Sequence, residues 1–149
     1  MATSTIPATL DSLIAALRAR PGLVNVVVHD GTPISDEGTD YIAVGWSDED
    51  ATSVNARQEP ATLGNLRRAE TYDINCQVCS WNGSTDMQSA RDAAFAMFAE
   101  VEDALRTDGT IAGNVIFADI GAYTVRQAQT TGGALVTIDF AIAVKITRI

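Results

Sequence analysis

Two cysteines separated by two residues are the first candidates for chemistry in this sequence. Cys76 and Cys79 have the C-x-x-C spacing of redox centres and of metal-binding knuckles. The residues around them alternate between apolar and polar types, which predicts a strand, and residues three apart on a strand point to opposite faces. No second cysteine pair or neighbouring histidine completes a zinc site. We therefore expect Cys76 to pack in the core and Cys79 to lie on the other face of the strand.

The other residue types that perform catalysis are not assembled into a site. His29 is the only histidine, so a His-based metal site or a Ser-His-Asp triad would depend on this one residue. It stands where an apolar run meets the turn Asp30-Gly31-Thr32-Pro33, which is typical of a strand end. Gly132-Gly133 joins two strand-like runs and does not open a helix, unlike a phosphate-binding loop. We predict a protein that is not an enzyme and that takes no metal and no cofactor.

Acidic residues concentrate between residues 30 and 50, which hold seven acids and no base. Seven carboxylates cannot all be buried, so they must lie on a surface. Neither acidic cluster has the EF-hand spacing of oxygen ligands, and we expect a solvated surface rather than a calcium site. The acids that we single out are Asp36, Glu37, Asp48, Glu49 and Asp50.

Composition places the chain among ordinary globular proteins. Of its 149 residues 46% are hydrophobic and 19% charged, which suits one domain spanning residues 1–149. Nineteen acidic residues against ten basic ones give a formal net charge of −9, which argues against a basic groove for nucleic acid. The apolar stretches fall short of the roughly 20 residues of a membrane-spanning helix, and no signal peptide is recognisable. We expect a chain that is made in the cytoplasm and does not contact a membrane.

Periodicity predicts two helices. Apolar residues with helical spacing over residues 10–17 predict a short amphipathic helix that ends at Pro21-Gly22. A longer apolar stripe over residues 87–105 predicts a second helix, with Asp86 near its start and Asp108-Gly109 at its end. We expect this second helix to be the main cover of a sheet.

Strands are predicted over residues 23–29, 41–46 and 72–81, and the last forty or so residues predict a long hairpin. Residues 47–66 show no period, so we expect a long loop or arm between strands 2 and 3. The predicted fold class is α+β, with a mostly antiparallel mixed sheet of about five strands covered by two helices.

Several motifs together resemble a known family. The first half contributes Arg20-Pro21-Gly22, Asp30-Gly31-Thr32-Pro33 and Asp40-Tyr41-Ile42-Ala43-Val44-Gly45. The second half contributes Arg68-Ala69-Glu70-Thr71-Tyr72, Trp81-Asn82-Gly83, Ala90-Arg91-Asp92-Ala93-Ala94-Phe95 and Gln129-Thr130-Thr131-Gly132-Gly133-Ala134. With these motifs the chain resembles the small tail terminator proteins of long-tailed, siphovirus-type bacteriophages. The resemblance covers almost the whole chain and rests on turn and packing signatures.

This resemblance implies a structural virion protein at the head-proximal end of the tail. Such a protein forms a homohexameric ring, caps the tail tube, stops tube polymerisation and offers a surface to a head completion or connector protein. Genomic DNA passes through the ring without specific binding. The net charge of −9 fits that passage, because like charge repels the phosphates.

The resemblance also suggests roles for two sets of residues. The five acids singled out above would face either the channel or the outer rim of the ring. The arm would contact the tail tube or a neighbouring subunit, and its candidate contact residues are Val54, Arg57, Leu63, Leu66 and Arg67.

Two other classes of function stay open at this point. Another neck or tail protein, such as a head completion or tube protein, would share the absence of catalytic residues. A small-molecule-binding domain of the host would instead need a concave pocket with convergent polar groups.

Overall fold

The computed structural model describes residues 3–33, 40–47, 52–60 and 68–148. This part of the chain holds two α-helices, α1 (Ile6–Arg18) and α2 (Met87–Thr107), and a short 3-10 helix over Pro21–Leu23. It also holds six strands, and the predicted α+β class is confirmed. The strands are β1 (Val27–Asp30), β2 (Tyr41–Val44), β3 (Val54–Pro60), β4 (Arg68–Asn82), β5 (Phe117–Thr130) and β6 (Gly133–Arg148).

The sheet is built on the antiparallel pair β4 and β6. All 15 residues of β4 have a partner on β6, from Arg68 opposite Arg148 to Asn82 opposite Ala134. β5 pairs with the other edge of β6, while β2 and β3 share the free edge of β4. β1 adds to β2 in parallel, and the other pairs of described strands are antiparallel. The sheet is therefore mixed and mostly antiparallel, as predicted.

The stretch predicted as an irregular arm contains a strand. Val54–Pro60 forms β3, which pairs with β4 from Val54 opposite Ile74 to Pro60 opposite Arg68. Most of its side chains are exposed and lack an apolar period, so the backbone pairing with β4 creates this strand rather than its own pattern. The described sheet thus has six strands instead of about five. Residues 48–51 and 61–66 of the predicted arm lie outside the described residues.

β2 and β3 follow one another along a single edge of β4, and the chain leaves that edge between them. Gly45 begins the departure at φ +79°, a conformation that favours glycine, and a Cβ there would lie 2.9 Å from Ser53 Oγ. Asn75 of β4 forms hydrogen bonds with the backbone on both sides of the segment that connects β2 to β3. Its carbonyl accepts from the Trp46 N–H at 2.9 Å, and its own N–H donates to the Ser53 carbonyl at 3.0 Å. Its side-chain amide donates to the Thr52 carbonyl at 2.8 Å.

The two helices cover one face of the sheet. Alternate residues of β4 and β6 point to that face and form the centre of the core with the apolar stripe of α2. α2 packs across β4, β5 and β6, which confirms it as the main cover, and α1 lies against β1. The fully buried side chains at the centre include Ile74, Val78, Val101, Ile138 and Ile142.

Glu70 is a buried carboxylate on the helix-covered face, near the start of β4. It accepts hydrogen bonds from the Thr5 N–H at 3.1 Å, the Thr5 hydroxyl at 3.0 Å and the Gln58 amide at 2.7 Å. Thr5 is the N-cap of α1, so Glu70 places negative charge at the positive end of the helix dipole. Burial by itself would raise the pKa of Glu70, but hydrogen bonds from Gln58, Ser4 and Thr5 outweigh it and hold the pKa below its ordinary value.

The loop after α2 contains three successive residues in the left-handed region. Ile111, Ala112 and Gly113 have φ values of 46°, 56° and 80°. Only glycine adopts this conformation without a steric cost. The Asp108 carboxylate holds the loop by accepting from the Thr110 N–H at 3.0 Å and the Ala112 N–H at 2.8 Å. Since the Ile111 side chain is also buried in the core, packing and hydrogen bonds maintain the strain.

Ala112→Gly should therefore stabilise the protein. Relief of about 1–2 kcal/mol of left-handed strain exceeds the added entropy of the unfolded chain, so we expect the free energy of unfolding to rise by about 0.5–1 kcal/mol. Urea unfolding followed by circular dichroism measures the change. Ala96→Gly, at an exposed position inside α2, is the matched control and should lower stability by about 1 kcal/mol. A similar loss at both positions would contradict the strain at Ala112.

Glu70→Gln should destabilise the protein in a pH-dependent way. At pH 7 we expect a loss of about 1–3 kcal/mol, because the charged acceptor of several hydrogen bonds is gone. The folded-state pKa of Glu70 is lowered, so its contribution is present above the unfolded value near 4.5 and disappears as the pH falls through the folded-state pKa. Urea titrations between pH 7 and pH 3 should show the two proteins converging in acid.

Glu59→Gln is the control for this pH dependence, since Glu59 is exposed on β3. We expect it to change the free energy of unfolding by less than about 0.5 kcal/mol across the same range. A constant difference between wild type and Glu70→Gln at every pH would show that the carboxylate charge does not stabilise the start of α1.

Candidate assembly surface

The described residues include two of the site residues predicted from the sequence, and both lie in β3. Val54 is half-buried against the core, and Arg57 is exposed. The other predicted site residues lie outside the described residues, and they are Asp36, Glu37, Asp48, Glu49, Asp50, Leu63, Leu66 and Arg67.

The two cysteines lie on opposite faces of β4, as predicted. Both are free thiols, and Cys76 packs in the core. Burial raises the pKa of Cys76 to about 12, so its thiol stays protonated at neutral pH. His29 is half-buried in β1, where its ring meets the edge of the Tyr41 ring with centroids 5.6 Å apart. These contacts give Cys76 and His29 packing roles.

The described ranges contain neither a candidate metal site nor a candidate membrane-spanning helix. Over residues 3–33, 40–47, 52–60 and 68–148, no three or more His, Cys, Asp or Glu side chains come together in a way that could hold a metal ion. In the same part of the chain, neither α1 nor α2 has the length and apolar content of a membrane-crossing helix.

A buried polar network lies on the sheet face that the helices leave uncovered. Asp139 of β6 is 6% exposed and accepts from the Gln77 amide at 2.9 Å and the Ser47 hydroxyl at 3.2 Å. Its second oxygen binds Arg126 Nη2 of β5 at 2.6 Å. The Tyr41 hydroxyl donates to the Gln77 amide oxygen at 2.6 Å. The network thus connects four neighbouring strands, β2, β4, β6 and β5, with the chain that follows β2.

A groove with a volume of about 460 Å³ lies on the same face, at the β3 end of the sheet. Arg57 and Lys145 contribute two cations, and Asp73 contributes one carboxylate. The ring of Phe117, which is 57% exposed, forms part of the wall. An open groove of mixed charge beside an exposed aromatic ring suits a segment of a partner protein better than an enclosed small molecule.

The described sheet presents free edges at β1, β3 and β5, and they are protected to different degrees. β3 carries charged side chains and ends in Pro60. In β1, the Val27 N–H points toward β2. Because the backbone polar groups of successive strand residues point to opposite sides, the Val28 carbonyl points away from the sheet, and Arg18 donates to it at 2.8 Å. β5 is 14 residues long, and over residues 123–130 its single charge is Arg126. β5 is therefore the least protected of these three edges.

Two of the motifs behind the family resemblance meet at the tip of the β5–β6 hairpin. The Trp81 indole N–H donates to the Gly132 carbonyl at 2.9 Å. A Cβ on Gly132 would lie 2.5 Å from the Trp81 ring, and one on Gly133, at φ +129°, would lie 2.0 Å from the Asn82 carbonyl oxygen. The paired glycines are thus required for packing the hairpin tip against the end of β4.

Sequence reasoning missed the polar groups that organise the two faces of the sheet. Asp139 stands between Ile138 and Phe140 in the most apolar strand, and an acid in that setting is a signal that it has a buried partner. Gln77 lies directly opposite Asp139 in the β4–β6 register. The register, which the sequence pattern alone does not supply, is what brings these two residues together.

Arg126→Gln should weaken the fold more than the loss of an ordinary surface ion pair. The substitution leaves the buried Asp139 carboxylate without its cation, and we expect the free energy of unfolding to fall by about 1–3 kcal/mol. The control is Arg106→Gln, which breaks the exposed i,i+4 pair with Glu102 and should cost less than about 0.5 kcal/mol. Urea unfolding measures both, and equal losses would contradict the importance of the buried network.

Comparison with known proteins identifies a structural likeness. No protein-family model and no curated protein matches this chain. Among solved structures, a chain of the "Virion of native gene transfer agent (GTA) particle" matches with a TM-score of 0.63 and 17% sequence identity. The match covers 98% of this chain and 99% of that chain. The protein therefore shares its fold, over almost its whole length, with a chain found in a virion particle.

Proposed function

We propose that this protein is a structural subunit of a phage-like virion. The observation that supports this most strongly is the likeness to a chain of a gene transfer agent virion, which covers 98% of this protein and 99% of that chain. A structural match over almost the full length of both chains is expected when two chains perform a comparable structural task on the same fold. The packing roles of Cys76, His29 and Gly132-Gly133 agree with such a task, since these residues hold elements together.

Within the virion, we propose the role of tail terminator. Six copies form a ring that caps the tail tube, ends tube polymerisation and offers its other surface to a head completion or connector protein. The sequence motifs that resemble tail terminators support this role, and the structure adds the reason for several of them. In Arg20-Pro21-Gly22, for example, the Arg20 guanidinium binds Glu100 at 2.7 Å, and a Cβ on Gly22 would lie 2.2 Å from the same carboxylate.

A ring requires heterologous contacts, in which one surface of a copy binds a different surface of the next. The sheet of this protein has unlike lateral borders, with the short β1 closed by Arg18 at one side and the long, open β5 at the other. A subunit with two unlike borders adds copies in one direction. This property supports a ring in preference to a two-fold dimer.

The same proposal assigns contacts to the groove and to the acidic residues. The groove beside Arg57 and Phe117 is a contact for the tail tube protein or for a neighbouring subunit, together with the arm residues Val54, Leu63, Leu66 and Arg67. The surface acids face the channel or the rim, where six-fold repetition multiplies their repulsion of passing DNA, and they are Asp36, Glu37, Asp48, Glu49 and Asp50.

Electron microscopy and mass photometry of the purified protein test this proposal directly. We expect rings with a mass of six times the 15.8 kDa chain, formed alone at high concentration or at the ends of tail tubes. Tubes mixed with the protein should stop growing at the capped end. Long filaments of the pure protein would indicate a tube protein instead, because an open heterologous contact repeats without closing. A strict monomer at all concentrations that does not cap tubes would overturn the proposal.

A further inference from the structure

The backbone polar groups at the free edges of β3 and β5 point in directions that the strand pairing fixes. In a strand, the N–H and C=O groups of every second residue turn to the same side. Asn75 of β4 sets this alternation, because its carbonyl accepts from the Trp46 N–H and its own N–H donates to the Ser53 carbonyl. The odd-numbered residues of β4 therefore face β2 and β3, and the even-numbered residues face β6.

The outer edge of β3 is formed by its even-numbered residues. The odd-numbered residues of β3 lie opposite odd-numbered residues of β4, as Arg57 does opposite Thr71, so they bond to β4. The even-numbered residues therefore turn their N–H and C=O groups away from the sheet. Pro60, which has no N–H, is one of them, as expected for a proline at the edge of a sheet. The outward residues that precede it are Val54, Ala56 and Gln58.

The outer edge of β5 near the hairpin tip is formed by odd-numbered residues. Even-numbered residues of β4 pair with even-numbered residues of β6, so the odd-numbered residues of β6 face β5. Asp139 is one of these, and it lies opposite Thr124. From that pair to the tip the register is regular, so the odd-numbered residues of β5 point outward, where no described strand pairs with them. They are Val125, Gln127 and Gln129.

The two edges match one another in direction and in face. β3 and β5 run in opposite directions, as two antiparallel neighbours must. The outward residues of both strands carry their side chains on the helix-covered face, because Ala56 lies opposite Tyr72 and Val125 lies opposite Ile138, both in the core. A β3 strand of a second copy that pairs with β5 therefore continues the sheet and keeps the helices of both copies on one face.

We propose that β5 of one copy pairs with β3 of the next copy as antiparallel strands, so that one sheet continues from subunit to subunit around the ring. The inference rests on the proposed function, because it assigns the contact between subunits of that ring. β1 is not the partner, since Arg18 already occupies the outward carbonyl of Val28. A second copy thus covers the least protected edge of the described sheet.

Charge selects the register of this pairing. Arg126 lies on the uncovered face of β5, and on the same face β3 carries Arg57 and Glu59. When Gln127 lies opposite Gln58 of the next copy, Arg126 lies opposite Glu59. A shift of two residues in one direction sets Arg126 against Arg57, and a shift in the other direction takes it past the end of β3. Opposite charges directly across a sheet stabilise the pairing and like charges destabilise it.

The outward groups of the two strands bond directly in this register. The pairs that exchange both backbone hydrogen bonds are Gln127 with Gln58 and Gln129 with Ala56 of the next copy. Pro60 ends the contact, because its carbonyl accepts from Val125 but it has no N–H to return. The Arg126 side chain is 42% exposed in its ion pair with Asp139, so it reaches Glu59 without leaving the buried network.

Hydrogen exchange tests the direction of the backbone groups. On assembly, the amides of Gln127, Gln129, Ala56 and Gln58 should exchange at least about tenfold more slowly than in the dissociated protein. The amide of Ala128, which bonds to β6, should be protected in both states. Protection confined to β5 would indicate that two β5 strands pair with each other, and it would overturn the inference.

A proline scan tests the same edge. Gln127→Pro removes an outward N–H and no bond to β6, so this variant should keep its urea midpoint and be a monomer by mass photometry at concentrations where wild type assembles. Ala128→Pro, one residue along, is the matched contrast. It removes an N–H that bonds to β6, so it should lower the urea midpoint instead. Assembly of folded Gln127→Pro at the wild-type concentration would contradict the pairing.

Paired cysteines test the partner strand and the register. Gln129→Cys with Ala56→Cys in one chain sets two thiols on opposite residues of neighbouring copies, with Cα atoms about 5.5 Å apart, within the range of a disulfide. Oxidation should give a covalent ladder that ends at the hexamer. The control pair, Gln127→Cys with Ala56→Cys, lies two residues out of register, beyond the limit of about 7 Å, and should give no ladder. The native Cys76 and Cys79 are buried in β4 and do not take part.

The outcomes separate this inference from the ring itself. If wild type forms rings and Gln129→Cys with Ala56→Cys gives no ladder in them, the strand pairing is wrong and the proposed function stands. A ladder from the control pair alone overturns the register and with it the inference. If wild type assembles only on tail tubes, exchange and cross-linking are measured on capped tubes, with the same expected results. Failure of wild type to assemble or to cap overturns both proposals.

Discussion

The antiparallel ladder between β4 and β6 is the constraint on which the rest of this protein depends. Its 15 pairs run without a register shift and fix the polar anchors at defined heights. Glu70 lies near one end, where it holds the start of α1, and Trp81 lies at the other, where it holds the hairpin tip. A slip of one residue would turn the apolar row of β6 away from the helices and bring Asp139 into the core. One register satisfies all these groups at once.

Buried polar groups on both faces of the sheet reinforce the native pairing of its strands. On the helix-covered face, Glu70 finds its donors in Thr5 and Gln58, and on the other face Asp139 finds its partners in Gln77 and Arg126. A buried carboxylate stabilises little compared with an apolar residue, but it is costly when its partners are missing. The two acids therefore disfavour alternative pairings of the strands more than they stabilise the native one.

The parts of the fold that the sequence predicts are those with their own local pattern. The apolar stripe of α2 and the alternation of β6 each repeat several times within one segment, so each could be read without its partners. β3 has no such pattern, because its exposed residues become a strand through pairing with β4. The contacts of Glu70 with Thr5 and of Asp139 with Gln77 join residues more than 60 positions apart. These contacts could be predicted only from the relative placement of the elements, which the sequence pattern does not supply. The borders of the sheet depended on the strand order for the same reason.

β5 departs from this regular pairing at one point. Between Ile120 and Tyr123 the pairing with β6 shifts by one residue, which is a β-bulge at Gly121-Ala122. A bulge bends its strand and increases the local twist. It lies next to Tyr123, so it changes the direction of the strand at this exposed ring. In the proposed ring, the residues that bind the next copy and the angle between neighbours are separate requirements, and a bend in this border strand affects the angle without changing which side chains the strand presents.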